Sequence, residues 1–375
     1  MIDTVLIAGA GPTGLVLALV LTRLGIRVRI IDKALEPGTS SRAIVVHART
    51  LEFYRQLGIA DAIVQDSFKF VAANIWAFGK RAGRIQLGDI GKGLSAFPYM
   101  LIYPQDEHEK FLIEELKKSG VEVERGTELL SLSQTADEVT AKLRLHDGAE
   151  ETFKTPYLAG CDGSHSAVRK SFNLEFSGST YAQMFYVADV EVEGAAANGE
   201  LHLAIDEADL LAIFPLKGKG HARLIGAVTP EAEKQNEKIT WEDVKHEALD
   251  RLKLNVKKVN WFSTYNVHRA FTVISSDGPH SALSPGDRMP WLWENDNTFT
   301  HFGWQAQVYG EPEAELGETC DRLGIKLKTF KWRRDFAKAG LHENTLYVLR
   351  PDMHIGLISA ESNSNRISEY FRDCL

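Results

Sequence analysis

The sequence predicts an α/β chain in three parts: a parallel βαβ unit at the start, a mostly antiparallel sheet in the middle and a small separate α/β domain at the end. Three observations carry this. A β-branched run, Thr4-Val-Leu-Ile-Ala8, stops at glycines and is followed by a helical stretch and a second strand. From Thr180 onward, short alternating strands succeed one another with turn residues between them. Ser275 to Asp287 is then rich in Ser, Gly and Pro, as at a domain boundary. At 375 residues the chain has room for two or three domains.

Taken in order, Thr4–Ala8 reads as a buried parallel strand, and Pro12 to Leu24 as a helix with Pro in its first turn and Gly25 just past its last. Arg27 to Asp32 is the second strand, which completes a right-handed βαβ unit. Ala48 to Leu57 and Gln105 to Lys118 have the spacing of amphipathic helices, with Arg49 and Glu52 as a solvated pair on the first. Val121 to Glu124 is a strand, Leu129 to Phe153 a β-meander, and Tyr157 to Gly160 a short buried strand. Strands follow at Thr180–Val192, His202–Ile205, Leu210–Leu216 and Ala222–Val228, then a single helix over Trp241–Leu252 and a strand over Val259–Tyr265. Leu346 to Leu349 marks a strand in the tail.

Composition narrows the function. A net charge of −8 with a pI near 5.9 argues against nucleic acid or an anionic membrane surface, since either needs a basic face. The longest apolar run, Leu15 to Leu21, is far short of a membrane span. Cys161, Cys320 and Cys374 are odd in number and widely spaced, which fits a reducing cytoplasm and no zinc or other metal site. No His-Glu-x-x-His, Walker loop or Gly-x-Ser-x-Gly occurs, so hydrolase and ATPase chemistry has no support. The expected partner is a small molecule; the oligomeric state, a homodimer included, stays open.

The sharpest motif is Gly9-Ala-Gly11-Pro12-Thr13-Gly14 between the first strand and helix, with Asp32 ending the next strand. Eighteen residues separate Gly14 from Asp32, against about 20 expected for a Rossmann-like dinucleotide site. In such a site Gly9 makes the tight turn, Gly11 lets backbone N–H groups meet a pyrophosphate, and Gly14 lets the helix lie close to the strand. The helix N-terminus attracts the diphosphate, and Asp32, with Lys33 beside it, faces the adenosine ribose. An acid there disfavours a 2′-phosphate, which leaves FAD or NAD.

Asp162-Gly163-Ser-His-Ser-Ala-Val-Arg169 after a short strand resembles the Asp-Gly motif of single-component flavin monooxygenases, the para-hydroxybenzoate hydroxylase and phenol hydroxylase group. Ser40-Ser-Arg-Ala-Ile-Val-Val-His-Ala-Arg-Thr-Leu-Glu52 and Pro104-Gln105 at a helix start are similar to that group as well, and the likeness runs from Met1 to His268. The resemblance implies a Rossmann-like FAD-binding domain over 1–178, an antiparallel-sheet substrate domain over 179–268, a junction over 269–287 and a small thioredoxin-like C-terminal domain over 288–375. It implies that Arg42 and Gln105 contact the flavin's diphosphate or ribityl chain and that Asp162 and Gly163 lie where FAD and nicotinamide paths cross. Phe214 and Pro215, at a strand end, would face the flavin ring and a small aromatic substrate. Arg169 is open between a ligand and a structural ion-pair partner. The implied activity is hydroxylation of a phenolic or polycyclic aromatic compound by O₂, with FAD as cofactor and NAD(P)H as reductant.

One departure stands out. The family's second flavin motif, a strand followed by Gly-Asp and a Gly-rich helix start, is absent: Tyr265-Asn-Val-His268 resembles the stretch before it, and Arg269 to Gly278 a stretch well after it. This keeps a second reading open, a truncated non-catalytic remnant or nucleotide-binding protein that retains only the adenosine half of the FAD site.

Overall fold

The computed structural model describes residues 4–374 apart from 39–42, 70, 177, 206–209, 236–238, 245, 271–282, 284–288, 361 and 363. The described chain divides into two compact units, one drawn from 1–46, 66–87 and 101–272 and the other from 47–65, 88–100 and 273–375.

The first unit opens as the sequence predicts. Strand Val5–Ala8, helix Pro12–Arg23 and strand Val28–Asp32 form the βαβ unit, inside a four-stranded parallel sheet ordered Leu158–Gly160, Val5–Ala8, Val28–Asp32, Val123–Arg125. Leu6, Ile7, Ile30 and Ile31 are fully buried, which is why these strands read as unbroken apolar runs. The meander (Glu128–Gln134, Val139–Arg144, Glu150–Thr155) packs Leu129, Ala141 and Leu143 against Leu6, Ala8 and Ile31. This apolar patch seats the meander on the parallel sheet.

A seven-stranded sheet follows, ordered Leu254–Ala270, Gly178–Gly194, His221–Ala227, Leu210–Pro215, Leu201–Ile205, Ala72–Ala77, Lys80–Gln86. Every neighbour pair is antiparallel except Leu201–Ile205 with Ala72–Ala77. Alternation sorts its side chains: Val190, Val192, Ile213 and Leu224 lie in a core with Leu249 and Leu252, and the neighbours between them face the other way. The single helix expected over Trp241–Leu252 is instead a 3₁₀ turn, Trp241–Asp243, and a short helix, Glu247–Arg251. Asp243 accepts hydrogen bonds from the backbone N–H and hydroxyl of Thr240, a capping box that starts the turn, but Val244 is extended at φ −91° and ψ 148°, so the turn cannot propagate.

The second unit has a four-stranded mixed sheet ordered Lys326–Phe330, Gln305–Tyr309, Leu346–Leu349, Ile355–Ser359. Its first two strands run parallel and the third antiparallel to both neighbours, with helices Leu316–Arg322, Arg334–Lys338 and Ser364–Cys374 between and after them, a thioredoxin-like arrangement. Helix Ala48–Gln56 belongs to this unit. Arg55 grips Asp296 through both guanidinium nitrogens at 2.5 and 2.6 Å, Gln56 donates to the carbonyls of His301 and Pro351, and Phe53 meets Phe302 edge-on. Glu52 is buried, at 3% exposure, and takes hydrogen bonds from Arg49 and Ser95. It is not part of a solvated pair, because helix periodicity alone does not show which face another element covers.

Candidate cofactor site

A cavity of about 270 Å³ in the first unit is lined by Gly9, Gly11, Asp32, Lys33, Asp162 and Gly163, together with Thr127 to Leu129, Cys161 and His165. The glycine turn is shaped by contact. Gly9 has φ +102°, and a Cβ there would lie 2.3 Å from the carbonyl oxygen of Cys161. At Gly14 a Cβ would lie 1.9 Å from the carbonyl oxygen of Gly9, so the helix rests directly on the turn. Gly11 differs: it caps the helix with ordinary extended angles, and a Cβ there would meet nothing within 4 Å. Gly11 has no side chain with which to cap the helix, so the first-turn N–H groups are not satisfied by the cap residue and are open to an anionic ligand. Pro12 is the first helical residue, and Thr13 beside it is exposed.

Asp32 ends its strand with one carboxylate oxygen accepting from Ala10 N–H at 2.7 Å and the other from Ala34 N–H at 2.8 Å. A carboxylate has about four acceptor positions, so further donors remain admissible. Strand pairing sets Arg125 beside it, with Nη1 3.9 Å from Asp32 and a buried Nη2 that has no partner among the described residues. An open diphosphate cradle, an acid with spare lone pairs and an orphaned guanidinium nitrogen together fit the adenosine diphosphate end of a dinucleotide.

Across the cavity, Asp162 holds the start of the short helix Ala167–Ser171: Ser166 Oγ donates to it at 2.5 Å and Ala167 N–H at 2.6 Å. Gly163 has φ +78° with open space where a side chain would stand. Burial pushes the Cys161 thiol up, aided by Asp162, so it stays protonated and is no nucleophile. Arg169 donates to the carbonyl of Ser164 and stacks over Phe176 at 5.0 Å.

Gln105, Phe214 and Pro215 do not line this cavity. Gln105 heads its helix as expected but donates its side-chain amide to Glu109 at 2.8 Å and is not in the cavity wall. Arg42 lies outside the described residues. Phe214 and Pro215 point to opposite faces of the seven-stranded sheet, as neighbours in a strand must. Phe214 shares a cross-strand row with Arg223, Asp189 and Trp261. In that row Arg223 is 1% exposed, bonds Asp189 at 2.6 and 2.7 Å and reaches the carbonyl of Ala43 at 3.4 Å. Arg125 and the Arg223–Asp189 pair went unread in the sequence, since only strand register reveals their neighbours.

The model of the FAD binding domain family matches residues 3–279. The chain belongs to this FAD-binding family. Among relatives, 6-methylpretetramide 4-monooxygenase of Streptomyces rimosus is 40% identical over 220 residues, which cover 58% of this chain and 39% of that protein. Pentachlorophenol 4-monooxygenase of Sphingobium chlorophenolicum is 30% identical over 59% of this chain and 41% of its own length. This FAD-binding chain thus spans about two-fifths of those relatives. Over its whole length it shares the fold of the flavin-dependent monooxygenase PieE in complex with FAD and substrate (TM-score 0.81, 15% identity, 100% of this chain and 99% of that one). Aklavinone-11 hydroxylase, with FAD and aklavinone, is similar too (TM-score 0.78, 16% identity, 99% and 98%).

Proposed function

We propose that this chain is an FAD-dependent monooxygenase that hydroxylates a phenolic or polycyclic aromatic compound with NAD(P)H and O₂. The observation that carries the reading is the single cavity where the glycine turn, Asp32 and the Asp162–Gly163 turn converge. Relatives named for phenolic and polyketide substrates support the substrate class. When bound, FAD would supply the redox chemistry and the activation of O₂.

The chain's own residues bind and orient. The first turn of helix Pro12–Arg23 takes the diphosphate, Asp32 the ribose hydroxyls with Arg125 and Lys33 at its side, and the Gly163 turn the flavin's inner end. Phe214 offers an aromatic surface beside the buried Arg223 and its half-buried partner Asp189, on the same sheet face. No side chain here is assigned as acid or base.

The test is reconstitution. Purified protein mixed with FAD should turn yellow and keep the colour through gel filtration, then consume NADH or NADPH and release hydroxylated product with a phenol or naphthol. A yellow protein that forms only hydrogen peroxide would overturn the hydroxylation and leave an uncoupled flavoprotein, whereas a chain that binds ADP but takes up no FAD would be the remnant reading. A colourless protein would overturn the proposal. Asp32→Ala should weaken FAD by about 1–3 kcal/mol, the range for a hydrogen bond to a charged group.

A further inference from the structure

We propose that a second cavity, on the opposite face of the seven-stranded sheet from Phe214, is a ligand site of its own and takes a small aromatic carboxylate. The cavity holds about 460 Å³, within the range of small-molecule pockets. Its floor is apolar, made by Val192, Ile213, Pro215 and Ala222 with Phe68 at the side. Its rim carries Asn198, Lys219 and His221.

The polar rim is a built one. Indole N–H can only donate, so Trp76 Nε1, 3.0 Å from His202 Nδ1, makes that nitrogen an acceptor. The neutral ring then carries its proton on Nε2 and donates it to Asn198 Oδ1 at 2.9 Å. Burial pushes the His202 imidazole down, which keeps this tautomer neutral. The backbone N–H of Glu200 donates to the same oxygen at 3.0 Å. Both bonds fix the amide so that its NH₂ is the free end, with no partner among the described residues. His202 is 2% exposed, so the device that orients Asn198 is part of the core.

Charge selects the ligand. Glu200 also lines the cavity, but Arg84 at 2.5 Å and Asn74 at 2.7 Å take its two oxygens and hold its carboxyl down to about 2. Its negative charge is answered by Arg84. Lys219 forms no ion pair among the described residues and sits on the turn 216–221, where Gly218 and Gly220 take φ +106° and +78°. An ammonium, an amide NH₂ and an apolar lining match a carboxylate on an aromatic body.

The experiment is equilibrium binding of 2-naphthoate to the full chain with FAD present, set against 2-naphthylmethylamine, which has the same body and the opposite charge. Naphthoate should saturate and the amine should not. Asn198→Asp keeps the acceptor oxygen for His202 and Glu200 and replaces the donor with a negative oxygen; Lys219→Glu reverses the rim charge. Each should weaken naphthoate by about tenfold, the equivalent of one hydrogen bond to a charged group. FAD affinity and the melting temperature should stay those of the parent. Binding with no component sensitive to Asn198 or Lys219, or tighter binding of the amine, would overturn the site. Failure to hold FAD while naphthoate still depends on Asn198 would overturn the monooxygenase reading and leave this site standing.

Discussion

The glycine turn of the first unit and the buried cluster of the thioredoxin-like unit are held by opposite means. At 9–14 the chain is shaped by what is missing: Gly9 and Gly14 bring backbone atoms to distances that no Cβ tolerates. In the second unit it is shaped by what is present. Asn295, Gln305 and Gln307 are fully buried, and Asn295 donates to Tyr309, Tyr309 to Gln307, and Gln307 to Thr298. That network sets the 3₁₀ turn Trp293–Thr300, whose Asp296 receives Arg55 and the indole of Trp291. The first region should be sensitive to added atoms, the second to removed ones.

The largest effect should come from Gly9→Ala or Gly14→Ala. A Cβ 2.3 or 1.9 Å from a backbone oxygen forces strand and helix apart, and at Gly9 left-handed strain adds to the overlap. A loss above about 3 kcal/mol is expected from strain and overpacking together, read as a melting-temperature drop or as insoluble expression. Gly11→Val sharpens the contrast. It should cost no more than about 1 kcal/mol, since its Cβ meets nothing within 4 Å among the described residues and what is lost is the helix N-cap preference for glycine over valine, yet it should lose FAD binding in calorimetry. If Gly11→Val unfolds the protein, the cradle is structural and not a ligand site.

Next in size is Asn295→Ala, which leaves the Leu292 N–H without its acceptor and takes the amide donor from the Tyr309 hydroxyl and the Pro290 carbonyl. Each buried unsatisfied group costs about 1–3 kcal/mol, measurable by urea unfolding. The smallest effect is Arg55→Ala, about 1 kcal/mol, because this pair is partly exposed. Here the pH dependence has a definite sign. Arg55 holds the Asp296 carboxyl below its ordinary value. The pair therefore stabilises the fold above the unfolded carboxyl pKa of about 3.9 and loses that contribution as pH falls through the lower folded value. The stability gap between parent and Arg55→Ala should be constant from pH 7 to about 5 and close below about 4. A gap that widens in acid would mean Asp296 is not held by Arg55.

Much of the first unit was legible because its signals are local. The apolar run, the glycine spacing and the acid at Asp32 lie within 32 residues and obey one strand–helix–strand rule. The helix Gln105–Lys118 was equally plain from its periodicity and from Gly120. The strands Ala72–Ala77 and Lys80–Gln86 were not read, since their partner Leu201–Ile205 lies far along the chain and pairs parallel to the first of them. Phe214 and Pro215 were read together as one site, while the pleat sends them to different faces.

By itself the sequence determined which residues must be glycine, where the first strands and helix run, and that a dinucleotide's phosphate end has a cradle. Only the tertiary structure decided that Arg125 stands beside Asp32, that Glu52 is buried, that Arg223 pairs across from Phe214 and that Asn198 is aimed by a histidine. The reason is range. Backbone conformation follows from neighbours in sequence, whereas a buried charge or a fixed amide depends on partners that only strand register and packing bring within hydrogen-bonding distance.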